Sequence, residues 1–353
     1  MNFEVLIPNP SLPGVQDKLP SVTVVIAARP GQAEIQAVPA ARAFVYPADK
    51  LQIIIARGKQ PSVQRNAAIR AARGTLIYFL DDDSVAAPKN LSLAIDLFEQ
   101  PEVKMVGGPN LCPADAPELE QVFALVLASW VFASSRSRYS QVGARRETSE
   151  KELILCNLIA RRAAVLELGG FNEALYPNEE NALMDELQKR GGKLIYDPKL
   201  IVYRRPRSSL GAFCRMLMTY GRGRAEQFRE HPTLGSALNF VPPIFVVYLL
   251  SLAAEPWVGP ILLLPLGAYL VMVLMQAVAL AARPPMSDKG GSANVTEAAE
   301  PRASRRILRS VVAIPLIFLT PILYGAGFWR GLFTRLHQPR DRPSAQVVLE
   351  DAA

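Results

Sequence analysis

The sequence predicts an α/β domain with a mostly parallel central sheet, followed by a C-terminal helical membrane region. Three observations lead to this prediction. Apolar runs rich in β-branched residues alternate with helical patterns through the first two thirds of the chain. Short loops that contain Gly and Pro separate these runs. Long apolar segments, almost free of charged residues, follow residue 235.

The alternation begins with the run VTVVIA at 22–27, which predicts a strand buried on both faces. A helical pattern follows, and Pro39 within it predicts a kink or a late start. The run LQIII at 51–55 predicts the second strand. The next helix is predicted to start at Pro61, which suits a first helical turn, and to be capped at its end by Gly74.

The third strand, TLIYFL at 75–80, ends in three consecutive carboxylates, Asp81, Asp82 and Asp83. The order βαβαβα with short loops predicts parallel strands covered by helices. Ligands of such sheets bind outside the carboxyl ends of the strands. We therefore expect the three aspartates to form a site, although an acidic surface turn would have the same composition.

The chain continues with further elements of the same domain. Residues 104–111 predict a strand and turn, and the apolar run 119–135 predicts a buried or interface-lying helix. Residues 136–152 are polar and are expected to form a mobile loop. Residues 152–205 predict a strand, a short helix, a Gly-Gly turn, a second helix, a turn and a strand.

The charge balance and the cysteines limit the classes of partner. The formal net charge is +7, with 39 Lys and Arg against 32 Asp and Glu, which suits a polyanionic partner. No nucleic-acid-binding module is recognisable, so we expect a membrane or a phosphate-bearing substrate and no nucleic acid. The three cysteines have no CxxC spacing and predict neither a disulfide framework nor a zinc site. The first residues lack the pattern of a secretory signal, which predicts a cytoplasmic location for the first two thirds.

The apolar third of the chain predicts a membrane region. The runs 238–254 and 261–282 each approach the length needed to cross a bilayer of roughly 30 Å. Arginines lie on both flanks of this pair, which places both flanks in the cytoplasm. The run 311–328 also has arginines on both sides and contains two prolines, so a third crossing and a re-entrant segment are both open.

These features divide the chain into seven predicted parts. They are an N-terminal extension (1–20), an α/β domain (21–207), a basic interface helix region (208–235), a transmembrane hairpin (236–283), a flexible loop (284–307), a third membrane segment (308–330) and a cytoplasmic or disordered tail (331–353).

Taken together, the motifs resemble those of inverting glycosyltransferases of family 2, which have the GT-A fold, a Rossmann-like α/β arrangement. VTVVIAARP resembles the first nucleotide-binding strand and loop, and QRNAAIRAARGTLIYFLDDDS resembles the RN element, Gly turn and DxD strand. GGFNEALYPNEENALMDELQKRGGKLIYDP resembles the GGF(D/N)E turn and the acidic catalytic pair. The resemblance covers about residues 20–207. The tail, with RRPRSSLGAFCRMLMTYGRGRAEQ and YGAGFWRGL, resembles membrane-bound enzymes of the succinoglycan type, which build bacterial exopolysaccharide.

The resemblance implies a role for each acidic residue. Asp81 and Asp83 would form the DxD pair, in which Asp83 holds Mg²⁺ or Mn²⁺ and Asp81 the nucleotide side, with Asp82 as the middle residue. Glu180 would be the base that deprotonates the acceptor hydroxyl, with Glu179 beside it. A helix dipole alone would also favour carboxylates at that position. Binding of the nucleotide-sugar is further implied for Ala28, Arg29, Glu34, Arg65 and Asn66.

Two departures from the family pattern bear on the substrate. The family usually has an acidic residue after its second strand, which holds the nucleotide base, but here Ala56 and Arg57 stand there. Arg29 and Glu34 are alternatives for that contact. No QxxRW sequence follows the predicted catalytic helix, which predicts transfer of a single sugar and not polymer synthesis.

The sequence allows several roles for the arginines. Arg65 could contact phosphate, hold Asp81 in place, or lie on the surface of its helix. A second set either faces anionic lipid head groups or a lipid-linked diphosphate, or simply anchors the chain at the cytoplasmic face. That set is Arg204, Arg205, Arg207, Arg222 and Arg224.

The leading hypothesis is a metal-dependent, inverting glycosyltransferase with several spans in a bacterial inner membrane and a cytoplasmic catalytic domain. It would move one sugar from a nucleotide-sugar donor to a lipid or lipid-linked acceptor. One alternative is a nucleotidyltransferase on a similar fold, although ARPGQ is only a faint version of the glycine-rich loop it needs. The other is a catalytically silent membrane scaffold, which the missing second-strand acid slightly favours.

Overall fold

The computed structural model describes residues 19–130, 136–175, 177–230, 232, 234–282, 299–335 and 347–352. The chain divides into two compact units. An α/β unit contains Met1–Pro113, Ser134–Arg205 and Arg335–Ala353, and a helical unit contains Ala114–Ala133 and Pro206–Thr334. Compared with the predicted α/β domain at 21–207, the α/β unit omits residues 114–133 and includes residues from the predicted tail.

The first half of the α/β unit has the elements that the sequence predicts. They are β1 (Val22–Ala28), α1 (Ala37–Arg42), β2 (Leu51–Arg57), α2 (Pro61–Ala71) and β3 (Leu76–Asp81). Helix α1 starts late, as Pro39 predicts, and α2 starts at Pro61. The predicted cap at Gly74 is wrong, because α2 ends three residues earlier. Gly74 instead lies against the backbone of Val22 and Thr23, where a Cβ atom would not fit.

The second half contains short elements around the site. They are β4 (Val85–Ala86), α3 (Asn90–Ala94), β5 (Val103–Gly107), β6 (Asn110–Leu111), α4 (Glu118–Leu127, in the helical unit), α5 (Arg136–Tyr139), β7 (Arg146–Thr148), β8 (Leu158–Arg161), α6 (Arg162–Glu167), α7 (Glu179–Lys189), β9 (Lys193–Tyr196) and β10 (Val202–Tyr203).

The prediction of a mobile loop at 136–152 is wrong, because α5 and β7 lie there. An ion pair of 2.7 Å between Arg146 and Glu152 stabilises this segment.

Eight strands form the main sheet, in the order β11-β2-β1-β3-β8-β5-β9-β7, where β11 is Val348–Asp351. Strand β1 is parallel to β2 and β3, and β5 is parallel to β9. Strands β7, β8 and β11 are antiparallel to their neighbours. The prediction of a sheet with a parallel centre and helices beside it is confirmed. A second sheet, β4-β10-β6, adjoins the end of β3.

The core explains why β1 is apolar at nearly every position. Val24 and Ile26 belong to one buried cluster, whereas Val25 belongs to another. Successive side chains of a strand point to opposite faces, so these two clusters lie on the two sides of the sheet. The predicted burial of this strand on both faces is confirmed.

The helical unit contains, besides α4, the helices α8 (Leu210–Glu230), α9 (Val241–Ser251), α10 (Glu255–Val258), α11 (Leu264–Ala282) and α12 (Ala299–Phe333). Three segments in it are long and apolar enough to cross a membrane: Ala237–Val258, Pro260–Ala282 and Ser304–Phe333. The first two match the predicted hairpin at 236–283. Large apolar side chains there are exposed, among them Leu250 at 72% and Trp257 at 83%, as expected for a surface that contacts lipid.

Three of the predicted parts have more than ten residues each outside the described residues. Of the N-terminal extension at 1–20, residues 1–18 lie outside, and of the loop at 284–307, residues 284–298 lie outside. Residues 299–307 of that loop are helical, as the start of α12. Of the tail at 331–353, residues 336–346 and 353 lie outside, and the tail contains β11, a strand that was not predicted.

Glycines allow α8 and α12 to approach each other closely. A Cβ atom at Gly221 of α8 would meet the carbonyl oxygen of Tyr324. A Cβ atom at Gly327 of α12 would meet the carbonyl oxygen of Met218. Close backbone contact of this kind is typical of helices that associate in membranes.

Candidate active site

The three aspartates lie where the sequence predicts, at the carboxyl end of a central strand. Asp81 is the last residue of β3 and is in register with Ala27 of the parallel strand β1. Asp82 and Asp83 follow in the turn to β4. Parallel strands end at the same edge of a sheet, so the residues after β1 and β3 are close to one another.

Two arginines bind the Asp81 carboxylate from opposite sides. Nη2 of Arg65, from α2, lies 2.9 Å from Oδ1 of Asp81. Nη1 of Arg204, after β10, lies 3.0 Å from Oδ2. Both oxygens of Asp81 are therefore paired, which fixes the orientation of this carboxylate. Of the three interpretations of Arg65, the structure supports contact with Asp81, and the side chain is only 7% exposed.

Arg204 also binds Asp83, so a single guanidinium joins both carboxylates. Its Nε atom lies 2.5 Å from Oδ1 of Asp83. Burial raises the pKa of Asp83 above its ordinary value, while Arg204 opposes the rise. Burial acts to lower the pKa of Arg204, but the two carboxylates outweigh it and raise this pKa above its ordinary value, so the guanidinium is charged throughout the physiological range. The sequence predicted for Arg204 a contact with lipid head groups or a lipid-linked diphosphate, or a role in anchoring alone, and did not predict these ion pairs with Asp81 and Asp83.

The second sheet explains how Arg204 reaches the aspartates. Val202 and Tyr203 of β10 pair antiparallel with Ala86 and Val85 of β4. Continued by one residue, this register places Arg204 beside the turn that carries Asp83. The backbone N–H of Arg204 donates a 2.9 Å hydrogen bond to the carbonyl of Leu111, which holds the backbone in place.

Arg65 links the aspartates to the acidic pair. Its Nη1 atom lies 3.1 Å from Oε1 of Glu179, at the start of α7, and both side chains are buried. Burial, followed by repulsion from Glu180, raises the pKa of Glu179 to about 8, although Arg65 opposes the rise. Its second oxygen, Oε2, has no hydrogen-bond partner within the described residues. Burial and the neighbouring Glu180 thus favour the protonated form of Glu179.

Glu180 has a different environment from its neighbour. Its side chain is partly exposed and accepts a 3.2 Å hydrogen bond from Asn181. The residue before the pair, Asn178, has a φ of 93°, a left-handed conformation that non-glycine residues adopt at a cost. This strained backbone precedes α7 directly, so the start of the helix is held by its surroundings.

Asn66 lies on α2 next to Arg65 and binds the turn GGFNE. Its Oδ1 accepts a hydrogen bond of 2.8 Å from the N–H of Phe171, and its Nδ2 donates to the Phe171 carbonyl at 2.9 Å. The same Nδ2 lies 2.9 Å from Oε1 of Glu173. Gly170, with a φ of 87°, lies against the Asn66 amide. Asn66 therefore positions the turn that precedes α7, a role that differs from the implied donor contact.

The loop after β1 is connected to the aspartate turn. Nε2 of Gln32 donates to Oδ2 of Asp82 at 2.6 Å and to the carbonyl of Glu34 at 3.1 Å. Oε1 of Gln32 accepts from the Arg29 N–H at 3.3 Å. The side chains of Arg29 and Glu34 are exposed at this edge, whereas Ala28 is buried at the end of β1.

Known proteins resemble this chain in sequence and in fold. The model of the family described as glycosyltransferase like family 2 matches residues 14–218, which is more than half of the chain. The chain belongs to this family. No curated protein matches the sequence significantly. The family membership removes the nucleotidyltransferase alternative.

The fold of this family 2 glycosyltransferase resembles that of a solved mannosyltransferase. PcManGT from Pyrobaculum calidifontis, in complex with GDP-Man and Mn²⁺, aligns with 92% of this chain and 89% of its own, at a TM-score of 0.52. The two sequences are 15% identical, so the likeness concerns the fold, a GT-A-like sheet with helices.

Gln64 and Cys156 are further residues near the glycosyltransferase site that were not predicted from the sequence. Gln64 on α2 is buried, and its Nε2 donates to the carbonyls of Ala28 and Ala56 at 2.7 and 2.6 Å, which ties together the ends of β1 and β2. Cys156 lies under the site, and burial raises its pKa to about 12, so the thiol stays protonated. Gln64 is one residue from the RN motif, but a polar residue on a helix gave no signal of burial.

The donor atoms at the site suit a divalent cation only together with a substrate. Among the described residues, no group of three or more His, Cys, Asp and Glu side chains could hold a metal ion. Asp81 and Asp83 supply hard oxygen ligands from one turn, and Mg²⁺ in nucleotide sites typically uses one or two carboxylates plus phosphate oxygens. These residues fit that donor set, with Arg204 in competition for the same oxygens.

Proposed function

We propose that this glycosyltransferase moves one sugar, with inversion, from a nucleoside-diphosphate sugar to a lipid or lipid-linked acceptor. The observation that supports this most directly is the row Asp83, Arg204, Asp81, Arg65 and Glu179, joined by contacts of 2.5–3.1 Å. Asp81 and Asp83 are the carboxylates proposed for the donor. The row connects them to Glu179, whose neighbour Glu180 is the carboxylate proposed for the acceptor.

Asp83 and Asp81 would hold Mg²⁺ or Mn²⁺ together with the donor. Such an ion, when bound, supplies positive charge to the diphosphate leaving group. Arg65 keeps one oxygen of Asp81 occupied and so orients this carboxylate toward the donor. Arg204 pairs with both aspartates, and its positive charge would stabilise the negative charge that the diphosphate develops as it leaves.

Glu180 is the proposed base. An acceptor hydroxyl must lose its proton as it attacks the sugar, and a partly exposed carboxylate can take that proton. Glu179 is buried and bound to Arg65, so its role is to position Arg65 and the start of α7. If the acceptor is a lipid phosphate, it is already ionised, and the need for a base is smaller.

The acceptor proposal rests on the three apolar helices. A membrane anchor keeps the enzyme close to lipid-linked substrates, and the basic residues around the spans favour a location at the cytoplasmic face of a bacterial inner membrane. The tail resembles succinoglycan-type enzymes, and for this reason we propose a role in polysaccharide or glycolipid synthesis.

The sheet order limits how many apolar segments cross the membrane. Strand β11 follows all three candidate spans and yet pairs with β2, which precedes them. Both strands must lie on one side of the bilayer, so the proposal includes an even number of crossings. The pair 237–258 and 260–282 forms the hairpin. The third segment, 304–333, has arginines at both ends and does not cross.

A reporter series tests this topology. Fusions after residue 259 and after residue 353 should give a periplasmic and a cytoplasmic signal, respectively. A periplasmic signal at the C-terminal fusion would mean an odd number of crossings and would contradict the even-crossing proposal.

Calorimetric binding of UDP, GDP and dTDP, with and without Mn²⁺, tests the donor proposal. We expect one nucleotide to bind in a metal-dependent way, Asp83→Ala to abolish the binding, and Asp96→Ala, an exposed carboxylate on the same domain, to leave it unchanged. If no nucleotide binds to folded protein, the nucleotide-sugar mechanism is wrong and the silent scaffold is the better account.

A further inference from the structure

The C-terminal strand β11 is attached to the edge of the sheet that carries the site. It pairs antiparallel with β2 over four residues, with Val348 opposite Arg57 and Glu350 opposite Ile55. The N–H of Ala352 donates to the carbonyl of Ile53 at 2.8 Å. Arg42 of α1 donates to the carbonyl of Ala352 at 3.0 and 2.8 Å. The pairing is thus continued by one residue beyond the C-terminal end of the strand.

A side-chain contact connects this strand to the carboxyl end of β2. Oε1 of Glu350 lies 2.7 Å from Nε of Arg57. Residues two positions apart on facing strands share a face, which is the geometry that allows long side chains to meet diagonally. Arg57 is the last residue of β2, so the contact lies at the same edge as the aspartates.

Arg57 also contacts the loop that follows β1. Its Nη1 atom donates to the carbonyl of Gln32 at 2.7 Å, and Gln32 donates through Nε2 to Asp82 at 2.6 Å. Gly31, next to Gln32, has a φ of 72°, so the loop turns sharply at this point. The loop is held on one side by Arg57 and on the other by the aspartate turn.

We propose that Glu350 is a positioning residue of the donor site, acting through Arg57 and Gln32 on Asp82. The proposal rests on the proposed function, because it takes the aspartate turn as the donor-binding edge. The guanidinium of Arg57 has several rotamers, and the Glu350 carboxylate selects the one that reaches the Gln32 carbonyl. A segment that follows the membrane helices thereby sets the shape of a pocket built by the first strands.

The solvent exposure of the Arg57–Glu350 ion pair limits how much its loss should weaken nucleotide binding. The side chains of Arg57 and Glu350 are 20% and 42% exposed, and ion pairs of this kind contribute little to overall stability. We expect Glu350→Gln to fold normally and to weaken binding of the nucleotide by about two- to fivefold. The donor KM should rise by the same factor with kcat unchanged, because Glu350 acts on the donor loop.

The experiment compares Glu350→Gln with three further variants of the full chain by calorimetry and steady-state kinetics. Asp351→Asn is the matched control. It removes the same charge from the same strand, but Asp351 pairs with the exposed Arg73 at 3.3 Å, away from the loop. Arg57→Gln and the double variant Arg57→Gln/Glu350→Gln complete a cycle. If Glu350 acts through Arg57, the double variant should bind nucleotide no more weakly than Arg57→Gln alone.

Each outcome has a defined meaning. Unchanged nucleotide affinity in Glu350→Gln, with a wild type that binds normally, overturns the inference and leaves the proposed function intact. Equal losses in Glu350→Gln and Asp351→Asn also overturn it, since both would then act only by stabilising the sheet. A wild type that binds none of the nucleotides contradicts the proposed function itself, and the inference falls with it.

Discussion

Arg204 and Asp83 are in direct contact, with Nε of the arginine 2.5 Å from Oδ1 of the carboxylate. The same guanidinium binds Asp81 at 3.0 Å. These are the oxygens that a divalent cation would use, so the arginine and the cation compete for them. The contact partly compensates the negative charge of the aspartates, and a cation bound as we propose would have to displace the guanidinium.

Replacement of Arg204 by Gln should therefore have opposite effects on two ligands. Mn²⁺ binding without nucleotide should become stronger, on the order of tenfold, because two carboxylates lose their competing charge. Nucleotide binding with Mn²⁺ should become weaker, because the site loses a fixed positive charge. Titration calorimetry measures both. Arg207→Gln, an exposed arginine three residues away, is the control. Weaker Mn²⁺ binding in Arg204→Gln would contradict the competition.

The two glutamates should differ in their effect on turnover. Glu180→Gln should lower kcat by roughly 10²–10⁴-fold, the usual contribution of a general base, and leave nucleotide affinity unchanged. Glu179→Gln should lower kcat less, because the amide can still accept a hydrogen bond from Arg65. Steady-state kinetics with the donor found by calorimetry measures both. A larger loss for Glu179→Gln would assign the base role to Glu179.

The raised pKa of Glu179 makes stability depend on pH. Its pKa is about 8 in the folded chain against an ordinary value of 4.5. The folded state therefore keeps the proton that the unfolded chain loses, and this stabilisation is full below pH 4.5 and is lost as pH rises through 8. Relative to Glu179→Gln, the wild type should lose at most about 1.4 kcal/mol of unfolding free energy per pH unit in this window.

Thermal unfolding in detergent at pH 5, 6, 7 and 8 measures the dependence. Glu147→Gln, which removes an exposed carboxylate, should follow the wild type at every pH. Parallel curves for the wild type and Glu179→Gln would show that the buried carboxyl is ionised in the folded chain.

The GGFNE turn offers a matched pair of glycines. Gly169 and Gly170 have φ values of 79° and 87°, so alanine at either position should cost about 1–2 kcal/mol in backbone strain. A Cβ atom at Gly170 would also meet the Asn66 amide, whereas one at Gly169 would meet nothing within 4 Å. Gly170→Ala should therefore unfold at a lower temperature than Gly169→Ala. Equal melting temperatures would mean that Asn66 can move without cost.

The glycines between α8 and α12 allow a similar comparison. Gly221→Ala and Gly327→Ala should each destabilise the helical unit, because the added methyl group would meet a carbonyl oxygen of the facing helix. Gly267→Ala on α11 has nothing within 4 Å and should be neutral. Melting of the detergent-solubilised protein measures the difference. Neutral behaviour at all three positions would argue against close packing of α8 on α12.

The sequence predicted the central elements well, because their signals are local. Apolar runs gave β1, β2 and β3, and Pro61 gave the start of α2. The aspartates were placed at a strand end for the same reason. The antiparallel direction of β8 and the strand β11 were not predicted, because strand direction and partner depend on contacts distant in sequence.

By itself, the sequence determined the α/β core, the order of the acidic motifs and the three apolar helices, since hydrophobic periodicity and turn residues act over a few neighbours. The tertiary structure decided which charges meet. It brought Arg204 onto Asp81 and Asp83, placed Arg65 between Asp81 and Glu179, and attached Glu350 to Arg57. These pairs form because sheet order and strand register bring together residues that are as many as 293 positions apart. A local sequence pattern cannot predict such contacts.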